Sequence, residues 1–511
     1  MHVGMDGWRA HRYVVVLGTV AVAAYMMSSA PTVLWGDDAE LQRIAITGEA
    51  RVVGQSSVAS HLLWQAVALW FVRVTTWFPV DAAGRVTLVS ALAASASLLP
   101  VAAAIRVVGL RAGLGTVALG VAAVTGTVAF GLSHTLWLLA SRPDAYTVQV
   151  ALLALAMWAC VRAGATARPA AWWAGATVLV IAALANHVMI LASVPGLMVL
   201  ATAGIGVDAR RIARFGFMMV AMVVVAAGVG AYAGFPVQEL AASVLSYQPY
   251  MPSVRDIGLV PLFLAYQFPL ALAMAWWGWI ACRRAGARTA AGLALLYAGV
   301  VGLMLFRYHP GMYVRDQFIF YLPSYLPVAV LIGLGAGELV DHPPKWLRLQ
   351  GRALVGTVIA LACAPVVVYA LAATVAGPIA TRLAPARALP GRDPVTYYLW
   401  PPKTGYTGAR DYVNAAFGAL PPGAVVLADW LPYQPMRYVQ AVEGARPDVR
   451  LEMINAGDGR QIAFLKSQPA GTPLFLADVS PPPYYEIDAI RACFEVEGAG
   501  VVYRLTRKAE C

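Results

Sequence analysis

The feature that most constrains the fold of this chain is a series of apolar runs of about 18 residues or more, each long enough to cross a bilayer as a helix. The runs cover residues 13–34, 86–105, 112–132, 145–161, 170–185, 188–204, 215–235, 257–281, 289–306, 317–336 and 353–376. Of the 511 residues 60% are hydrophobic and 12% are charged, about half the charged fraction of a soluble protein. The sequence therefore predicts a mainly α, polytopic helical membrane domain.

Positive charges predict the orientation of these runs. If a shorter apolar run at 61–79 does not cross, the N-terminus and the loops on its side hold 15 basic residues, and the opposite loops hold 6. By the positive-inside rule the N-terminus is then cytoplasmic and the C-terminus extracytoplasmic. We therefore predict about eleven crossings of the cytoplasmic (inner) membrane, with 61–79 as a juxtamembrane or re-entrant helix. The basic excess lies in short loops without interleaved aromatic residues, which argues against a nucleic-acid partner.

The composition of the chain changes after residue 377. Residues 378–511 carry 14 basic and 13 acidic side chains, are richer in Pro, and have apolar runs of strand length. We predict strands at 424–429, 448–455, 473–478 and 500–508 and a helix at 433–444, an alternation typical of a small α/β domain. The predicted division is a membrane domain at 1–377 and an extracytoplasmic α/β domain at 378–511. Cys493 and Cys511 could pair if this region faces an oxidising compartment.

Three carboxylates follow the first apolar run, in the stretch VLWGDDAELQRIA at 33–45. A solvated loop is the simplest interpretation of Asp37, Asp38 and Glu40. The apolar residues after them keep a helical spacing, which instead favours a surface helix that presents Asp37 and Glu40 on one face. Carboxylates at a partly desolvated interface act as general bases or bind cations.

Polar residues also gather in other segments on the predicted extracytoplasmic side. Arg142, Asp144 and Tyr146 lie in LSHTLWLLASRPDAYTVQ at 132–149, either as a local ion pair or as a second functional cluster. His187 interrupts the run LANHVMIL at 184–191, where a histidine bonded only to its helix neighbours remains the alternative.

Basic residues in LFRYHPGMYVRDQFIFYLP at 305–323 run against the topological bias. They are Arg307, His309 and Arg315, with Asp316 beside them. An anionic group at the membrane surface, such as a lipid phosphate, would account for them, and an ion-paired loop is the alternative.

An ordered series of motifs resembles a known family. The stretches are GDDAEL (36–41), RVTLVSAL (85–92), LWLLASRPDAYTVQ (136–149), LANHVMILASVPGL (184–197), DQFIFYLPSYLPVAVLIGLG (316–335) and YVQAVEGARPDVRLEMIN (438–455). In this order they resemble the multi-pass proteins related to protein O-mannosyltransferases, within the GT-C glycosyltransferase superfamily. The resemblance implies a GT-C fold and a sugar donor carried on a polyprenyl phosphate.

The resemblance also assigns residues. The family's acidic first loop falls on Asp37 and Glu40, of which Asp37 matches the usual catalytic acid, while Asp38 stands where a small residue is more usual. Its second-loop acid and tyrosine fall on Asp144 and Tyr146. Most members continue the first loop with His-Pro-Pro-Gly-Tyr-Pro, whereas this chain has SVASHL at 57–62, with Ser57 in place of the histidine. This departure puts donor or acceptor specificity, and activity itself, in question.

The sequence thus predicts an integral membrane glycosyltransferase that moves a sugar from a polyprenyl-phosphate donor to an extracytoplasmic protein or glycan acceptor, with inversion. Asp37 and Glu40 are the predicted catalytic residues. The predicted donor- and acceptor-binding residues are Asp38, Arg43, Arg142, Asp144, Tyr146, His187, Arg307, His309, Arg315 and Asp316. Membrane lipid is a further partner, no metal-ligand set is assigned, and a divalent cation (Mg²⁺ or Mn²⁺) stays open as a cofactor. The alternatives are a transporter or flippase of lipid-linked sugars, and a catalytically inactive GT-C relative that acts as a binding or assembly partner.

Overall fold

A computed structural model of the chain describes residues 5–49, 61–166, 168–203, 209–232, 250–307, 318–383 and 387–511. Within these ranges, the part of the chain before residue 384 is helical. Its helices are α1 (Met5–Ser28), α2 (Asp37–Thr47), α3 (Leu62–Val74), α4 (Ala82–Arg111), α5 (Thr116–Gly131), α6 (His134–Ala140), α7 (Tyr146–Ala163), α8 (Ala170–Asn186), α9 (Val194–Ala201), α10 (Ala209–Tyr232), α11 (Val254–Gln267), α12 (Ala275–Ala285), α13 (Ala287–Arg307), α14 (Leu322–Asp341), α15 (Gly351–Leu371) and α16 (Gly377–Leu383). Short 3₁₀ or π segments lie at Val188–Ser193, Ala271–Met274, Phe318–Tyr321 and Ala372–Ala376.

These helices make the chain a multi-pass membrane protein. Five helical stretches in the described part are long and apolar enough to cross a bilayer, or up to seven if two bent pairs each count as one span. The other predicted runs correspond to shorter apolar helices in α1, α8, α9 with its 3₁₀ turn, and α10. The predicted positions of the helices are therefore confirmed, while fewer than the predicted eleven meet the criteria of length and composition.

One predicted span, 257–281, is bent in the structure, and another, 112–132, is followed by a bend into the next helix. α11 and α12 meet at 99°, and α5 and α6 meet at 62°. The first break contains Pro269, which cannot donate a backbone hydrogen bond, and Leu270 at φ 65°. The run at 61–79 contains α3, which has 13 residues and is too short to cross a bilayer.

The C-terminal part forms a small α/β domain, as predicted. Its elements are α17 (Thr396–Leu399), α18 (Gly408–Ala419), β1 (Val425–Leu427), α19 (Trp430–Glu443), β2 (Arg450–Glu452), α20 (Arg460–Ser467), β3 (Leu474–Leu476), α21 (Ile487–Cys493), β4 (Phe494–Ala499) and β5 (Val502–Arg507). The strand order is β2-β1-β3-β5-β4, with β1 parallel to β2 and β3, and β5 antiparallel to β3 and β4. Four of the strands were predicted and β4 was not. Cys493 and Cys511 form a disulfide in this domain.

Arg387 occupies the crevice at the carboxyl ends of β1 and β3. Its guanidinium makes a bidentate pair with Asp429, which follows β1, and also contacts Asp478, which follows β3. The ring of Tyr484 covers the guanidinium at 4.2 Å. Because the two carboxylates flank a single buried cation, the linker from the membrane domain is fixed to the sheet at this point.

The first loop of the membrane domain belongs to the hydrophobic core of the C-terminal domain. Val33, Trp35 and Ala39 pack in one buried cluster with Tyr412 and Met436 of α18 and α19. The rings of Trp35 and Tyr412 lie 5.3 Å apart. The start of α2 is therefore packed against the α/β domain.

Polar contacts join the two parts beside this core. Arg410 of α18 pairs with Glu443 of α19 and with Asp81, the residue that caps α4. Thr32 donates to the same Asp81 carboxylate at 2.7 Å. The Asp81 carboxylate thus connects the first loop, the start of α4 and the α/β domain.

Candidate functional site

A cavity of about 450 Å³ lies at the junction between the membrane domain and the α/β domain. Six parts of the chain contribute its wall: the start of α2, the residue before α3, the loop that precedes α7, the 3₁₀ segment before α14, the hinge from 392 to 398, and the start of α19. Its charged and aromatic lining includes Asp37, Asp38, His61, Arg142, Asp144, Tyr146, Arg392, Tyr397, Tyr398 and Trp430. The cavity therefore combines carboxylates, arginines and aromatic rings from distant parts of the sequence.

Gly36 sets the direction in which α2 enters the cavity. Its backbone has φ 52° and ψ −128°, a conformation that residues with a Cβ adopt only under strain. A Cβ at this position would also lie 3.2 Å from the side chain of Leu431. The turn delivers Asp37 to the cavity as an exposed carboxylate, and Trp430 Nε1 donates to its Oδ1 at 2.5 Å.

Asp38 is the buried acid of the pair and has only 5% of its surface exposed. Its Oδ1 lies 3.6 Å from Nε of Arg142, and its Oδ2 accepts a hydrogen bond of 3.2 Å from the hydroxyl of Tyr397. Nη2 of Arg142 lies 3.9 Å from Oδ2 of Asp144. One buried guanidinium therefore bridges two carboxylates, one from each of the first two polar clusters in the sequence.

Burial perturbs the protonation of these acids. It raises the pKa of Asp38 to about 6, and the neighbouring charge of Arg142 only partly offsets this effect. It likewise raises the pKa of Asp144 to about 7, against the opposing effects of Arg142 and of the hydrogen bond from the Tyr146 amide. The pKa of Arg142 is raised by the two carboxylates, so this side chain stays charged.

Aromatic and imidazole rings form the next layer of the wall. The Tyr146 hydroxyl and Nε2 of His187 lie 3.3 Å apart, and the rings of His61 and His187 stack at 5.2 Å. Asn186 holds this layer in place, since its amide donates to the carbonyl of Ala145 at 3.0 Å and its Oδ1 accepts from the amide of Trp64 at 3.2 Å. His187 thus supports the wall from behind Tyr146.

The hinge between the domains supplies the opposite wall. Arg392 is buried against the rings of Tyr397 and Tyr398, with its guanidinium carbon 4.9 Å and 5.5 Å from the ring centres. Lys403 is also buried, and its Nζ donates to the carbonyls of Trp400 and Pro401. Burial, reinforced by the charge of Arg142, lowers the pKa of Lys403 well below its usual range.

The structure brings some of the predicted site residues together and separates others. Five of them line the cavity: Asp37, Asp38, Arg142, Asp144 and Tyr146. Glu40 is buried and does not line it, and Arg43 pairs with Glu49. Arg307 ends α13 and is also absent from the lining, while His309, Arg315, Asp316 and Ser57 lie outside the described residues. The catalytic and binding roles given to all these residues stay predictions.

A divalent cation also stays a prediction. Within the described ranges, no three His, Cys, Asp or Glu side chains converge in an arrangement that could hold a metal ion. Asp38 and Asp144 are bridged by the Arg142 guanidinium, which occupies the place that a cation between these two carboxylates would take. The residues of this cavity therefore do not fit a metal centre built on that carboxylate pair.

Sequence reasoning missed the residues that the C-terminal part contributes. Arg392, Tyr397 and Tyr398 lie in RDPVTYYLWPPKTGY at 392–406, a stretch rich in aromatic and basic residues that follows the membrane domain directly. That composition was the only available signal. Trp430 gave none, because its contact with Asp37 depends on how α19 packs on α2.

A helical membrane domain whose acidic first loop lines a polar cavity beneath an α/β domain is the arrangement expected of a GT-C fold. Comparison with solved structures confirms this fold. The chain is similar to ArnT from Cupriavidus metallidurans bound to undecaprenyl phosphate, with a TM-score of 0.59, 14% identity, and 99% of each chain covered. It is also similar to the same protein in the apo state, with a TM-score of 0.55, 14% identity, and 98% of this chain and 99% of that chain covered.

The family comparison narrows the resemblance. Residues 63–204 match the model of the protein O-mannosyl-transferase TMEM260 N-terminal domain. The predicted resemblance to O-mannosyltransferase-like proteins is thereby confirmed for this part of the chain. No curated protein matches the chain significantly in sequence.

Proposed function

We propose that this protein is an integral membrane glycosyltransferase that moves a sugar from a polyprenyl-phosphate donor to an acceptor on the extracytoplasmic side. The observation that carries the proposal is the cavity at the domain junction, where the exposed carboxylate of Asp37 stands beside a buried Asp38–Arg142–Asp144 cluster. The ArnT structure contains undecaprenyl phosphate, which supports a lipid-phosphate donor for a chain of the same fold.

The chemistry follows from the position of Asp37. This carboxylate faces the cavity and is oriented by Trp430, so it is suited to accept a proton from an acceptor hydroxyl. The hydroxyl oxygen then bonds to the anomeric carbon, and the bond from that carbon to the phosphate oxygen breaks, leaving the electron pair on the phosphate. A single displacement of this kind inverts the anomeric configuration.

Asp38 and Asp144 serve a different purpose in this scheme. Arg142 and Tyr397 already occupy the oxygens of Asp38, so it is less accessible to a substrate than Asp37. The two acids instead fix Arg142 and the loop that precedes α7, which keeps the cavity in shape. In this scheme Glu40 supports α2 from its buried face.

The disulfide supports the proposed orientation. Cys493 and Cys511 are joined, and disulfides persist in oxidising compartments outside the cytoplasm. The α/β domain and the cavity beneath it then face the extracytoplasmic side, where an acceptor protein or glycan is available.

The decisive experiment compares Asp37→Asn with the wild-type protein in membranes supplied with labelled polyprenyl-phosphate sugars. Loss of a general base lowers the rate by about a hundredfold or more, so we expect transfer by the variant to fall at least that far. Asp488→Asn, an exposed acid of the α/β domain, is the matched control and keeps the wild-type rate.

The outcomes also separate the alternatives. Unchanged transfer by Asp37→Asn would refute the role of this carboxylate. If the wild type transfers no sugar from any donor, the flippase or the inactive relative becomes the better hypothesis. Movement of the labelled lipid across sealed vesicles would then identify the flippase.

A further inference from the structure

The two arginines of the cavity differ in whether their charge is already neutralised. Arg142 pairs with Asp38 and Asp144. Arg392 forms no ion pair among the described residues, although only 7% of its surface is exposed. Burial of a cation without a counter-charge costs several kcal/mol, so an anionic group that enters the cavity would stabilise Arg392.

Much of the hydrogen-bonding capacity of Arg392 is unused. Its Nη2 donates to the Tyr398 hydroxyl at 3.3 Å, and in the part of the chain that the structure describes its buried Nε has no partner. A guanidinium carries five N–H donors in a planar fork. Donors therefore remain for a bidentate acceptor within the cavity that Arg392 lines.

The backbone around Arg392 holds the side chain in place. Leu389 and Arg392 exchange backbone hydrogen bonds of 3.3 and 2.8 Å across a tight turn. Gly391 in this turn has φ 77°, and a Cβ on it would lie only 2.8 Å from the Cα of Gly408. The turn is therefore pressed against the start of α18, and Arg392 reaches the cavity from a fixed base.

A second chain of contacts links this turn to the acidic loop. The Tyr406 hydroxyl donates to the carbonyl of Gly391 at 2.8 Å and accepts from Nε1 of Trp35 at 2.7 Å. Tyr397 lies between the two charged walls, since its hydroxyl contacts Asp38 while its ring face carries Arg392. Asp38 and the guanidinium of Arg392 thus both contact Tyr397, the first at its hydroxyl and the second at its ring.

We propose that Arg392 binds the phosphate ester of a substrate in this cavity. The inference rests on the proposed function and deepens it, because it assigns the anionic part of the donor to the hinge and not to Arg142. Phosphate oxygens match the planar fork of a guanidinium and form charge-assisted hydrogen bonds with it. When the bond between the anomeric carbon and the phosphate oxygen breaks, the electron pair stays on that oxygen. Arg392 contacts the phosphate and does not have to donate a proton.

The proposal predicts that the C-terminal part is required for donor binding as well as for acceptor positioning. A lipid phosphate and a water-soluble phosphate ester share the same chemistry. The membrane domain beneath the cavity favours the lipid as the source, because a polyprenyl chain remains in the bilayer while its phosphate reaches the hinge.

The test measures binding of three probes to the purified full-length protein: undecaprenyl phosphate, uncharged undecaprenol and inorganic phosphate. Hydrogen bonds to charged groups contribute about 1.5–3 kcal/mol, so Arg392→Gln should weaken the binding of undecaprenyl phosphate by about tenfold or more. Arg392→Lys should lose less, since it keeps a cation. Arg450→Gln, which alters an exposed arginine paired with Glu452 outside the cavity, is the control.

Undecaprenol distinguishes anion recognition from damage to the fold. If Arg392→Gln binds undecaprenol as the wild type does and loses only the phosphate, the proposal is supported with a lipid source. If the loss affects inorganic phosphate and spares the lipid, the anion site is supported with a soluble ester as its ligand. Equal affinity of Arg392→Gln and the wild type for both phosphates would overturn the proposal.

These measurements require no sugar transfer, so the two proposals can fail separately. Arg392-dependent binding by a wild type that transfers no sugar would reject only the enzymatic function. Transfer by Arg392→Gln with unchanged kcat and KM would reject only the role of Arg392.

Discussion

At the scale of single residues, the site depends on how three buried charges balance. Arg142 lies between Asp38 and Asp144, and with both acids ionised the cluster carries one net negative charge. Burial raises the pKa of both carboxyl groups, which means that the folded protein holds their protons more tightly than the unfolded chain does. The cluster is therefore sensitive to pH in the neutral range.

The direction of this pH dependence follows from linkage. The pKa of Asp144 is about 7 in the folded state and 3.8 in the reference state, so the folded protein binds the additional proton between these values. The stabilisation that this proton gives is complete below about pH 4 and is lost as the pH rises through about 7. Asp144→Asn removes this pH-dependent contribution to the free energy of unfolding. We expect the Tm of the variant, relative to the wild type, to rise as the pH increases across this range.

Thermal unfolding in detergent, followed by tryptophan fluorescence, measures the difference. Asp488→Asn is the control, since it alters an exposed acid of the other domain. A difference in Tm between Asp144→Asn and the wild type that stays constant with pH would contradict the raised pKa.

Sequence reasoning identified half of this site for a physical reason. Asp37, Asp38, Arg142 and Asp144 were recognisable because the positive-inside rule does not explain carboxylates and a basic residue gathered on the predicted extracytoplasmic side. The family resemblance distinguished Asp37 from Asp38, but the exposure of the first and the burial of the second were not accessible, since they depend on the strained turn at Gly36. Equally, no local pattern shows that Arg392 has no ion pair with any residue that the structure describes.

At the scale of elements, α2 combines a helix start with an interdomain contact. Its first turn holds three acids, which the positive end of the helix dipole favours. The same turn lies against α19, so any shift of the helix start moves Asp37 relative to Trp430. The geometry of this carboxylate is therefore determined by packing on both sides.

Gly36→Ala tests this dependence. The added Cβ meets both an unfavourable φ and the side chain of Leu431, so we expect stability to fall by about 1–3 kcal/mol and sugar transfer to fall with it. Gly418→Ala in α18 is the matched control, because its Cβ meets nothing within 4 Å, and it should be neutral or stabilising by about 0.5–1 kcal/mol. Unfolding curves and initial rates of both variants check the prediction. Wild-type stability of Gly36→Ala would show that the turn is not strained.

The elements themselves could be predicted to different degrees. The long apolar helices and the strands β1, β2, β3 and β5 follow from hydrophobic pattern alone. The bends between α5 and α6 and between α11 and α12 do not, since an apolar run of sufficient length has the same composition whether it is straight or bent. β4 was missed, although its FEVEGA sequence begins with alternating apolar and acidic residues.

At the scale of the whole molecule, the protein is a membrane domain and an α/β domain that build one cavity together. The positions of the apolar helices, the type of the C-terminal domain and the disulfide partners could be inferred from the sequence, whereas the predicted eleven crossings exceed the five to seven spans of the described part. The cavity could not, because it depends on how the first loop enters the core of a domain about 400 residues later in the chain. The predicted boundary at residue 378 stays a prediction.

The thiols report which side of the membrane the α/β domain occupies. Of the five cysteines, Cys160, Cys282 and Cys363 are free, and the other two are joined. In protein from native membranes, denatured without reductant, we expect three thiols to react with a maleimide reagent, and five after reduction. Cys363→Ser should reduce each number by one. Five reactive thiols before reduction would show that the disulfide is not formed and would remove this support for an extracytoplasmic domain.

The crevice that holds Arg387 has a mechanical consequence for the whole molecule. Open α/β sheets usually receive their ligands at the carboxyl ends of strands where the strand order reverses, and here the protein's own linker occupies that place. Ten residues further on, the same linker passes Tyr397, whose hydroxyl donates to Asp38 of the membrane domain. The linker is thus anchored at both of these points, by an ion pair to the sheet and by a hydrogen bond to the first loop. Displacement of the α/β domain from the first loop would therefore have to break or strain one of these two contacts.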